Sequence, residues 1–195
     1  MSEQLKGGLR ALALVAVSPL LLWFSIKRRI MDPDRALQGS SQALAWVPGL
    51  PGMYIRRAFL SVALERCAPS SVVEFGVTFS QAGARLDDNV YVGSFCNLGL
   101  VHLERDVLIA SGVHIPSGPE THGSRLVNIP IRDQPGRRQL VRVGAGSWVG
   151  SGAIVLADVG RDCIIGAGAV FTSPIPDRSV AVGVPARVIR VRGDS

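Results

Sequence analysis

Histidine is the side chain best suited to move a proton at neutral pH, because its imidazole titrates at about 6.5. The chain has three, His102, His114 and His122. His122 stands in the stretch Glu120-Thr121-His122-Gly123, within an arginine-rich segment at residues 116–140. Long irregular segments between regular elements tend to carry function. The sequence therefore indicates His122 as a general base for a weak nucleophile such as a hydroxyl group.

The sequence on both sides of this segment repeats every six residues. Each unit begins with an aliphatic residue, usually followed by glycine, and has a small residue at its fifth place. Neither an α-helix nor an alternating strand has this period, which is typical of a β-helix whose rungs are closed by three units. The leading positions, which we expect to point inward, are Leu86, Val92, Leu98, Leu103, Ile109, Ile115, Val143, Val149, Val155, Val159, Ile165 and Phe171.

The amino-acid composition agrees with a solenoid, and the net charge limits the classes of ligand that we expect. Among 195 residues there are 22 glycines and only 6% aromatic residues, which suits stacked aliphatic side chains separated by turns. The net charge of +6 is compatible with nucleic acid, an anionic membrane surface or a phosphorylated ligand. No basic cluster is interleaved with aromatic residues, so we expect no nucleic acid. Cys96 and Cys163 fall at fifth places, where they are expected to be packing residues.

An apolar run at residues 11–26 is flanked by Lys6 and Arg10 before it and by Lys27 to Arg29 after it. Sixteen helical residues span about 24 Å, less than the roughly 30 Å of a bilayer core. A cleaved signal peptide and a buried core helix are alternatives, but we expect membrane attachment, either spanning or turning back at Pro19. The heavier basic flank after the run places the rest of the chain on the cytoplasmic face of a bacterial inner membrane.

The expected organisation has three parts. Residues 1–30 form the membrane anchor segment, residues 31–70 form amphipathic helices, and residues 71–192 form the β-helix with its loop at 116–140. One helix is predicted over residues 33–46 and a second over residues 53–66, with Arg56 and Arg57 away from its apolar face. These helices are expected to lie on the lipid interface, to cap the open end of the β-helix, or both.

Three features together resemble the hexapeptide-repeat, left-handed β-helix acyltransferases. This superfamily includes the maltose, galactoside and nodulation acetyltransferases and many polysaccharide O-acetyltransferases. The features are the loop stretch at residues 120–123, the repeats at 143–171 and a tail at 179–190 that contains Val-Pro-Ala-Arg. The resemblance implies an all-β, left-handed parallel β-helix with an N-terminal helical segment. It also implies a homotrimer whose active sites lie between neighbouring subunits.

The resemblance further implies roles for particular residues. His122 matches the family's catalytic histidine, which deprotonates an acceptor hydroxyl as it attacks the acetyl-CoA thioester. Backbone N–H groups near Gly150 or Ser151 are candidate oxyanion donors. The implied coenzyme A contacts are Ser151, Ala167, Thr172, Ser173, Arg187 and Arg190. The implied acceptor-side residues are Asn97, His114, Glu120 and Trp148, with Glu120 as a possible partner that orients the imidazole.

Two departures from relatives qualify the resemblance. Many members have Thr-Lys where this chain has Thr172 and Ser173, so one cationic phosphate contact is missing. Carbonic-anhydrase-like members bind zinc through histidines that include a His-x4-His pair, whereas the separations here are twelve and eight residues, so we expect no metal.

The sequence thus predicts an acetyl-CoA-dependent O-acetyltransferase that acts on a sugar hydroxyl, with a lipid-linked saccharide of cell-surface polysaccharide biosynthesis as the expected acceptor. Two alternatives stay open. One is a catalytically inactive β-helix that scaffolds a membrane glycan-assembly complex, and the other is an N-acyltransferase that acts on an amino sugar.

Overall fold

The chain folds into three helices followed by a parallel β-helix, as seen in a computed structural model that describes residues 3–193. Strands from successive rungs pair in parallel to form three sheets, here called faces A, B and C. The helices are α1 (Glu3–Ile30), α2 (Pro33–Ala45) and α3 (Gly49–Ala63). Face A holds β1 (Arg66–Cys67), β4 (Arg85–Leu86), β7 (Val101–Leu103) and β10 (Val141–Val143). Face B holds β2 (Val72–Val73), β5 (Tyr91–Val92), β8 (Leu108–Ile109), β11 (Trp148–Val149), β13 (Ile164–Ile165), β15 (Ser179–Gly183) and the antiparallel β16 (Ala186–Val191). Face C holds β3 (Thr78–Phe79), β6 (Asn97–Leu98), β9 (His114–Ile115), β12 (Ile154–Val155) and β14 (Val170–Phe171).

The inward positions of the repeat form one continuous core. All twelve predicted leading residues have at most 2% of their surface exposed. Turns between faces require residues with positive φ, which glycine, asparagine and aspartate adopt most readily. Gly112, Gly152 and Gly168 meet this requirement between faces B and C, while Asn89 and Asp106 do so between faces A and B. The predicted parallel β-helix is confirmed, and its first strand, β1, begins at Arg66, five residues before the predicted start of the β-helix at residue 71 and inside the range predicted for the second helix, 53–66.

Helices α2 and α3 cover the open end of the first rung. Leu37 of α2 and Phe59 of α3 are fully buried and join the same core as Val73. The prediction that Arg56 and Arg57 lie away from the packed face is wrong, because these residues are only 2% and 8% exposed. The Arg56 guanidinium donates to three backbone carbonyl oxygens. Nε donates to Val73 O at 3.1 Å, and Nη1 donates to Leu44 O and Val47 O at 3.2 and 2.6 Å. Arg56 thereby joins α2, α3 and the first rung.

Helix α1 is longer than the apolar run that predicted it, since it includes both basic flanks over 28 residues. It does not turn back at Pro19. Proline has no N–H for the carbonyl of Val15, and the Ser18 hydroxyl donates to that oxygen instead at 2.8 Å. The part Gly7–Ile30 is long and apolar enough to cross a membrane.

Two opposite faces of α1 are apolar, but only one of them is packed. Ala13, Val17 and Phe24 are buried, with Phe24 in an edge-to-face contact with Phe59 of α3 at 5.3 Å between ring centres. The opposite face leaves a stripe of side chains exposed at helical spacing. This apolar stripe consists of Leu12, Val15, Leu22, Ile26 and Ile30, which are between 42% and 79% exposed.

Candidate active site

The irregular loop at residues 116–140 leaves face C after β9 and returns to face A at β10. Its two limbs are held together by backbone hydrogen bonds. Gln139 N donates to Ser117 O at 2.8 Å, and Arg137 N donates to Glu120 O at 2.6 Å. The loop is therefore a closed excursion whose limbs run side by side up to the position of His122.

Two glycines allow these limbs to touch at backbone distance beside His122. A Cβ atom added to Gly136 would lie 2.1 Å from Thr121 O and 2.7 Å from His122 N. A Cβ atom added to Gly123 would lie 2.6 Å from Pro135 O. Side chains do not tolerate such distances, so glycine is required at both places for this packing. The backbone of His122 is thus clamped between the limbs.

The far turn of the loop is fixed by one buried amide side chain. Gln134 Nε2 donates to Leu126 O at 2.6 Å and to Ile129 O at 2.8 Å, while its Oε1 accepts from Leu126 N at 3.0 Å. Gln134 is 7% exposed, and the short 3₁₀ helix Ile131–Asp133 precedes it. These bonds hold the returning limb in place, so the loop has internal order although it lies outside the solenoid.

The imidazole of His122 is exposed in a pocket of about 490 Å³ formed by the loop itself. Glu120, Arg125 and Arg137 also line this pocket. No hydrogen bond or ion pair joins the side chains of Glu120 and His122, so the orienting role of Glu120 stays a prediction. The arrangement leaves His122 open to a substrate and surrounds it with cationic side chains.

A second cleft, of about 600 Å³, adjoins the loop at Thr121, next to His122 in the chain. The predicted acceptor-side residue Asn97 lies in it, with its amide donating to Thr78 Oγ1 at 3.0 Å. His114 is the register neighbour of Asn97 on face C, one rung further along. Sequence reasoning missed the opposite wall of this cleft, which comes from α2 and the returning limb: Asp32, Asp34, Arg35, Gln38 and Arg138.

Asp34 connects these parts of the cleft. Its carboxylate accepts from Ala82 N at 2.8 Å and lies 3.5 Å from Arg138 Nη1 of the loop. The sequence provides little indication that Asp34 and Arg35 belong to a site, because they follow the Asp32 cap of α2 and resemble ordinary residues of a first helical turn. What makes them part of a site is the loop's contact with α2, which bridges 104 positions in the chain.

The predicted coenzyme A contacts Ser151 and Ala167 lie on another edge of the β-helix, at the turn between faces B and C. Both are exposed, and neither backbone N–H has an acceptor among residues 3–193. Gly150 N, by contrast, donates to Ile165 O at 2.8 Å and is not free to serve as an oxyanion donor. Adjacent rungs are about 4.8 Å apart, so the free N–H groups form a ladder suited to successive carbonyl oxygens of an extended ligand.

The remaining predicted residues divide between two sides of the molecule. Thr172 and Ser173 are exposed at the turn from face C to face A, the turn that also carries the loop. Trp148 projects from face B and is 49% exposed. Arg187 and Arg190 are exposed on β16 at the end of the same face, and neither forms an ion pair with another residue that the structure describes.

These positions give two half-sites rather than one pocket. The His122 half-site comprises the loop, Asn97, His114, Thr172 and Ser173, around face C. The ladder half-site comprises Trp148, Ser151, Ala167, Arg187 and Arg190, around face B. No cleft described above contains members of both. A single β-helix therefore does not bring the predicted residues together.

Of the three histidines, His102 is engaged elsewhere. Its Nε2 lies 2.9 Å from Asp87 Oδ2 on face A, and Asp87 also pairs with Arg66 at 2.7 Å. Its Nδ1 is buried without a partner. Within residues 3–193, no group of three or more His, Cys, Asp or Glu side chains is arranged to hold a metal ion.

Comparisons with known proteins agree with the fold and identify the family. No family model matches the chain. Over 141 residues the chain is 32% identical to WbbJ of Escherichia coli strain K12, provisionally named as an O-acetyl transferase of lipopolysaccharide biosynthesis, and the alignment covers 60% of this chain and 71% of WbbJ. It is 41% identical over 68 residues to Rv3034c of Mycobacterium tuberculosis, named a probable acetyltransferase, but this match covers 34% of the chain and only 23% of that protein.

A solved structure of a galactoside acetyltransferase in complex with coenzyme A has the same fold. The TM-score is 0.64 at 20% sequence identity, and the match covers 84% of each chain. The resemblance expected from the loop, the repeats and the tail is confirmed by WbbJ, which is more similar to this chain in sequence than the galactoside acetyltransferase is. The chain belongs to the hexapeptide-repeat acyltransferases, with their parallel β-helix fold.

Proposed function

We propose that this protein transfers an acetyl group from acetyl-CoA to a sugar hydroxyl, with His122 as the general base. The observation that carries the proposal is the clamped loop, which fixes the His122 backbone beside a cleft lined by hydroxyl, amide and guanidinium groups. Such groups are well suited to hydrogen-bond a saccharide. The name of WbbJ supports O-acetyl transfer in polysaccharide assembly.

The proposed reaction has three steps. The neutral imidazole of His122 accepts the proton of the acceptor hydroxyl while that oxygen attacks the thioester carbonyl. The tetrahedral intermediate carries negative charge on its carbonyl oxygen, and a free backbone N–H such as that of Ser151 is a suitable donor to it. Collapse of the intermediate expels the thiolate of coenzyme A, which takes up the proton held by His122.

Coenzyme A fits the ladder half-site. Its pantetheine arm contains amide carbonyl groups that match the unpaired N–H groups of Ser151 and Ala167. The guanidiniums of Arg187 and Arg190 are exposed and have no carboxylate partner within residues 3–193, which suits the phosphates of the nucleotide end.

The separation of the half-sites favours a homotrimer. Face C with its loop and face B with its ladder point in different directions on one β-helix. In a closed ring of copies, the His122 half-site of one subunit faces the ladder half-site of the next. The proposed active site is then incomplete without a neighbouring copy.

We further propose that the acceptor is linked to a membrane lipid. The cleft beside the loop begins at Asp32, two residues after α1 ends at Ile30. The apolar stripe of α1 would be covered by lipid, and each buried aliphatic side chain contributes about 2 kcal/mol. An acceptor head group at the membrane surface would thus be adjacent to Arg35 and Gln38.

This placement favours α1 lying along the membrane surface over crossing the bilayer. The helix packs against α3 from Ala13 to Phe24, so a crossing α1 would place α3 in the bilayer as well. Helix α3 in turn packs on the first rung of the β-helix, and strands with open edges are not found in the hydrocarbon region. An interfacial helix exposes only its apolar stripe to lipid.

The test is transfer of labelled acetyl from acetyl-CoA into lipid-linked glycans of the source membranes. We expect incorporation with the wild type and a loss of about 1000-fold with His122→Ala, while coenzyme A still binds. His102→Gln is the matched control, because this ring lies on face A and should leave transfer within a few-fold of wild type. Transfer by His122→Ala at the wild-type rate would refute the assignment of the base.

Two further readouts separate the alternatives. An ester product is released by mild alkali, whereas the amide formed by an N-acyltransferase is not. A scaffold would give no transfer and no binding of coenzyme A in a titration. Binding without transfer would indicate a different acceptor or acyl donor.

A further inference from the structure

A second polar pocket, of about 380 Å³, lies between the N-terminal part of α1, α3 and the turn from face A to face B. It belongs to neither half-site. Arg10 of α1 and Arg57 of α3 line it, together with Tyr54, Ser70 and Asn89. Along the axis of α1, Arg10 is about 30 Å from the end of the helix where the acceptor cleft begins.

The two guanidiniums in this pocket have no acidic partner. Within residues 3–193 no carboxylate forms an ion pair with Arg10 or Arg57, and Asp88 nearby is paired with Arg66 at 3.2 Å. Arg57 is only 8% exposed, and its pKa is lowered by burial and then by the charge of Arg10. Two like charges placed together without an anion repel each other, and a bound anion relieves that repulsion.

Arg57 is also oriented before any ligand arrives. Its Nη1 donates to Pro69 O at 2.5 Å, and its guanidinium stacks over the ring of Tyr54 at 5.4 Å from the ring centre. Arginine forks held in this way are well matched to phosphate oxygens. The burial of Arg57 is therefore explained by the binding of a ligand as well as by its hydrogen bond to Pro69.

The walls of the pocket are amphiphilic. Leu50 and Met53 supply an apolar side, and Leu50 is 67% exposed. A ligand with a phosphate next to an acyl chain would satisfy both kinds of wall.

We propose that this pocket, lined by Arg10, Tyr54 and Arg57, binds a phosphate group, with the headgroup of an anionic phospholipid as its source. The phosphate would lie between the two guanidiniums. A phosphate held there would fix the N-terminal part of α1 at the headgroup level. The lipid source rests on the membrane placement proposed above, whereas the anion site itself does not.

The test uses the full chain in uncharged detergent, with binding measured by calorimetry. The probes are dihexanoyl phosphatidic acid and, separately, inorganic phosphate. Within residues 3–193 the Arg10 side chain forms no hydrogen bond or ion pair, so Arg10→Gln is expected to act on the ligand rather than on folding. Arg29→Gln is the matched control, because it removes the same charge from an exposed position on the same helix.

We expect the wild type to bind the lipid about tenfold more tightly than Arg10→Gln, which loses one charged hydrogen-bonding partner. Arg29→Gln should bind within about twofold of the wild type, since it lies outside the pocket. Equal losses in both variants, or no binding by the wild type, would overturn the proposal. If inorganic phosphate binds as tightly with the same dependence on Arg10, the site stands and its ligand is a soluble phosphate. Neither acetyl-CoA nor acceptor is present, so failure here is distinct from failure of acetyl transfer.

Discussion

Substitution of Gly136 by alanine tests whether the loop clamp positions His122. The new Cβ atom would lie 2.1 Å from Thr121 O and 2.4 Å from Thr121 C, where ordinary contacts begin at 3.4 Å. The limbs must separate by about 1 Å, and because the bonds of Gln134 hold the returning limb, the displacement falls on Thr121 and His122. Misplacement of a catalytic group by about 1 Å can lower kcat about 100-fold, or about 2.7 kcal/mol in the activation free energy.

The assay is steady-state acetyl transfer, with coenzyme A affinity and the free energy of unfolding measured in parallel. The affinity should be unchanged, because the clamp contains none of the residues proposed to contact coenzyme A. Gly39→Ala is the matched control, since a Cβ atom there meets nothing within 4 Å. It should keep wild-type kcat and gain up to about 1 kcal/mol in stability from helix propensity. Wild-type kcat in Gly136→Ala, with His122→Ala inactive, would refute the positioning role of the clamp.

Three other predictions concern the cap, the core and α1. Arg56→Met leaves three buried carbonyl oxygens without their donor and should lower the free energy of unfolding, measured in urea, by about 3 to 5 kcal/mol. Arg125→Met in the exposed loop should change this free energy by about 0.5 kcal/mol or less. Similar values for the two variants would contradict the role of Arg56. Burial raises the pKa of Cys96 from 9.0 to about 11, so the folded protein holds this proton more tightly than the unfolded chain, and the stability contributed by the thiol is complete below pH 9.0 and is lost as the pH rises towards 11. The stability difference between wild type and Cys96→Ala should therefore shrink by about 2 kcal/mol between pH 9 and pH 11, and a constant difference would show that the thiol does not titrate this way. The double variant Val15→Gln with Leu22→Gln should bind liposomes about 100-fold more weakly in flotation, while Val127→Gln, at a still more exposed position in the loop, should not; equal binding by all three proteins would exclude the apolar stripe as the contact.

The solenoid was predictable because its signal is repeated. Each rung adds the same inward aliphatic positions, so the pattern from Leu86 to Phe171 identifies a core that the structure places without exception. The outward residues follow from the same register, and Asn97 and His114 indeed share face C. Local periodicity is sufficient to predict whether a residue points inward or outward wherever its environment is set by its own rung of the β-helix.

The burial of Arg56 could not be predicted in this way. On a helical wheel it lies beside the apolar face, and the carbonyl groups that satisfy it come from α2 and the first rung. The early start of α3 has a simpler reason, since Pro51 lies in the first turn, where proline loses no helical hydrogen bond. The prolines and glycines at residues 48–52 favour a loop when the sequence is considered alone, although they also permit a helix.

The second wall of the acceptor cleft also depends on distant contacts. Arg35 and Arg138 are far apart in the chain and have no shared pattern, and they line one cleft only because the loop folds back to α2. The apposition of Gly136 with Thr121 is of the same kind. Sequence periodicity describes the scaffold, whereas long-range contacts between its insertions and its cap build the site.

The exposed stripe on α1 has a consequence for how tightly the enzyme must hold its acceptor. If α1 lies in the membrane as proposed, the enzyme and a lipid-linked acceptor would share one surface, and their encounter would take place at an effective concentration that tethering can raise to the millimolar range. High intrinsic affinity would then be unnecessary, which agrees with a cleft beside Thr121 that is open and polar. A soluble fragment of the same saccharide should then be a poor substrate through KM, although its reactive hydroxyl is unchanged.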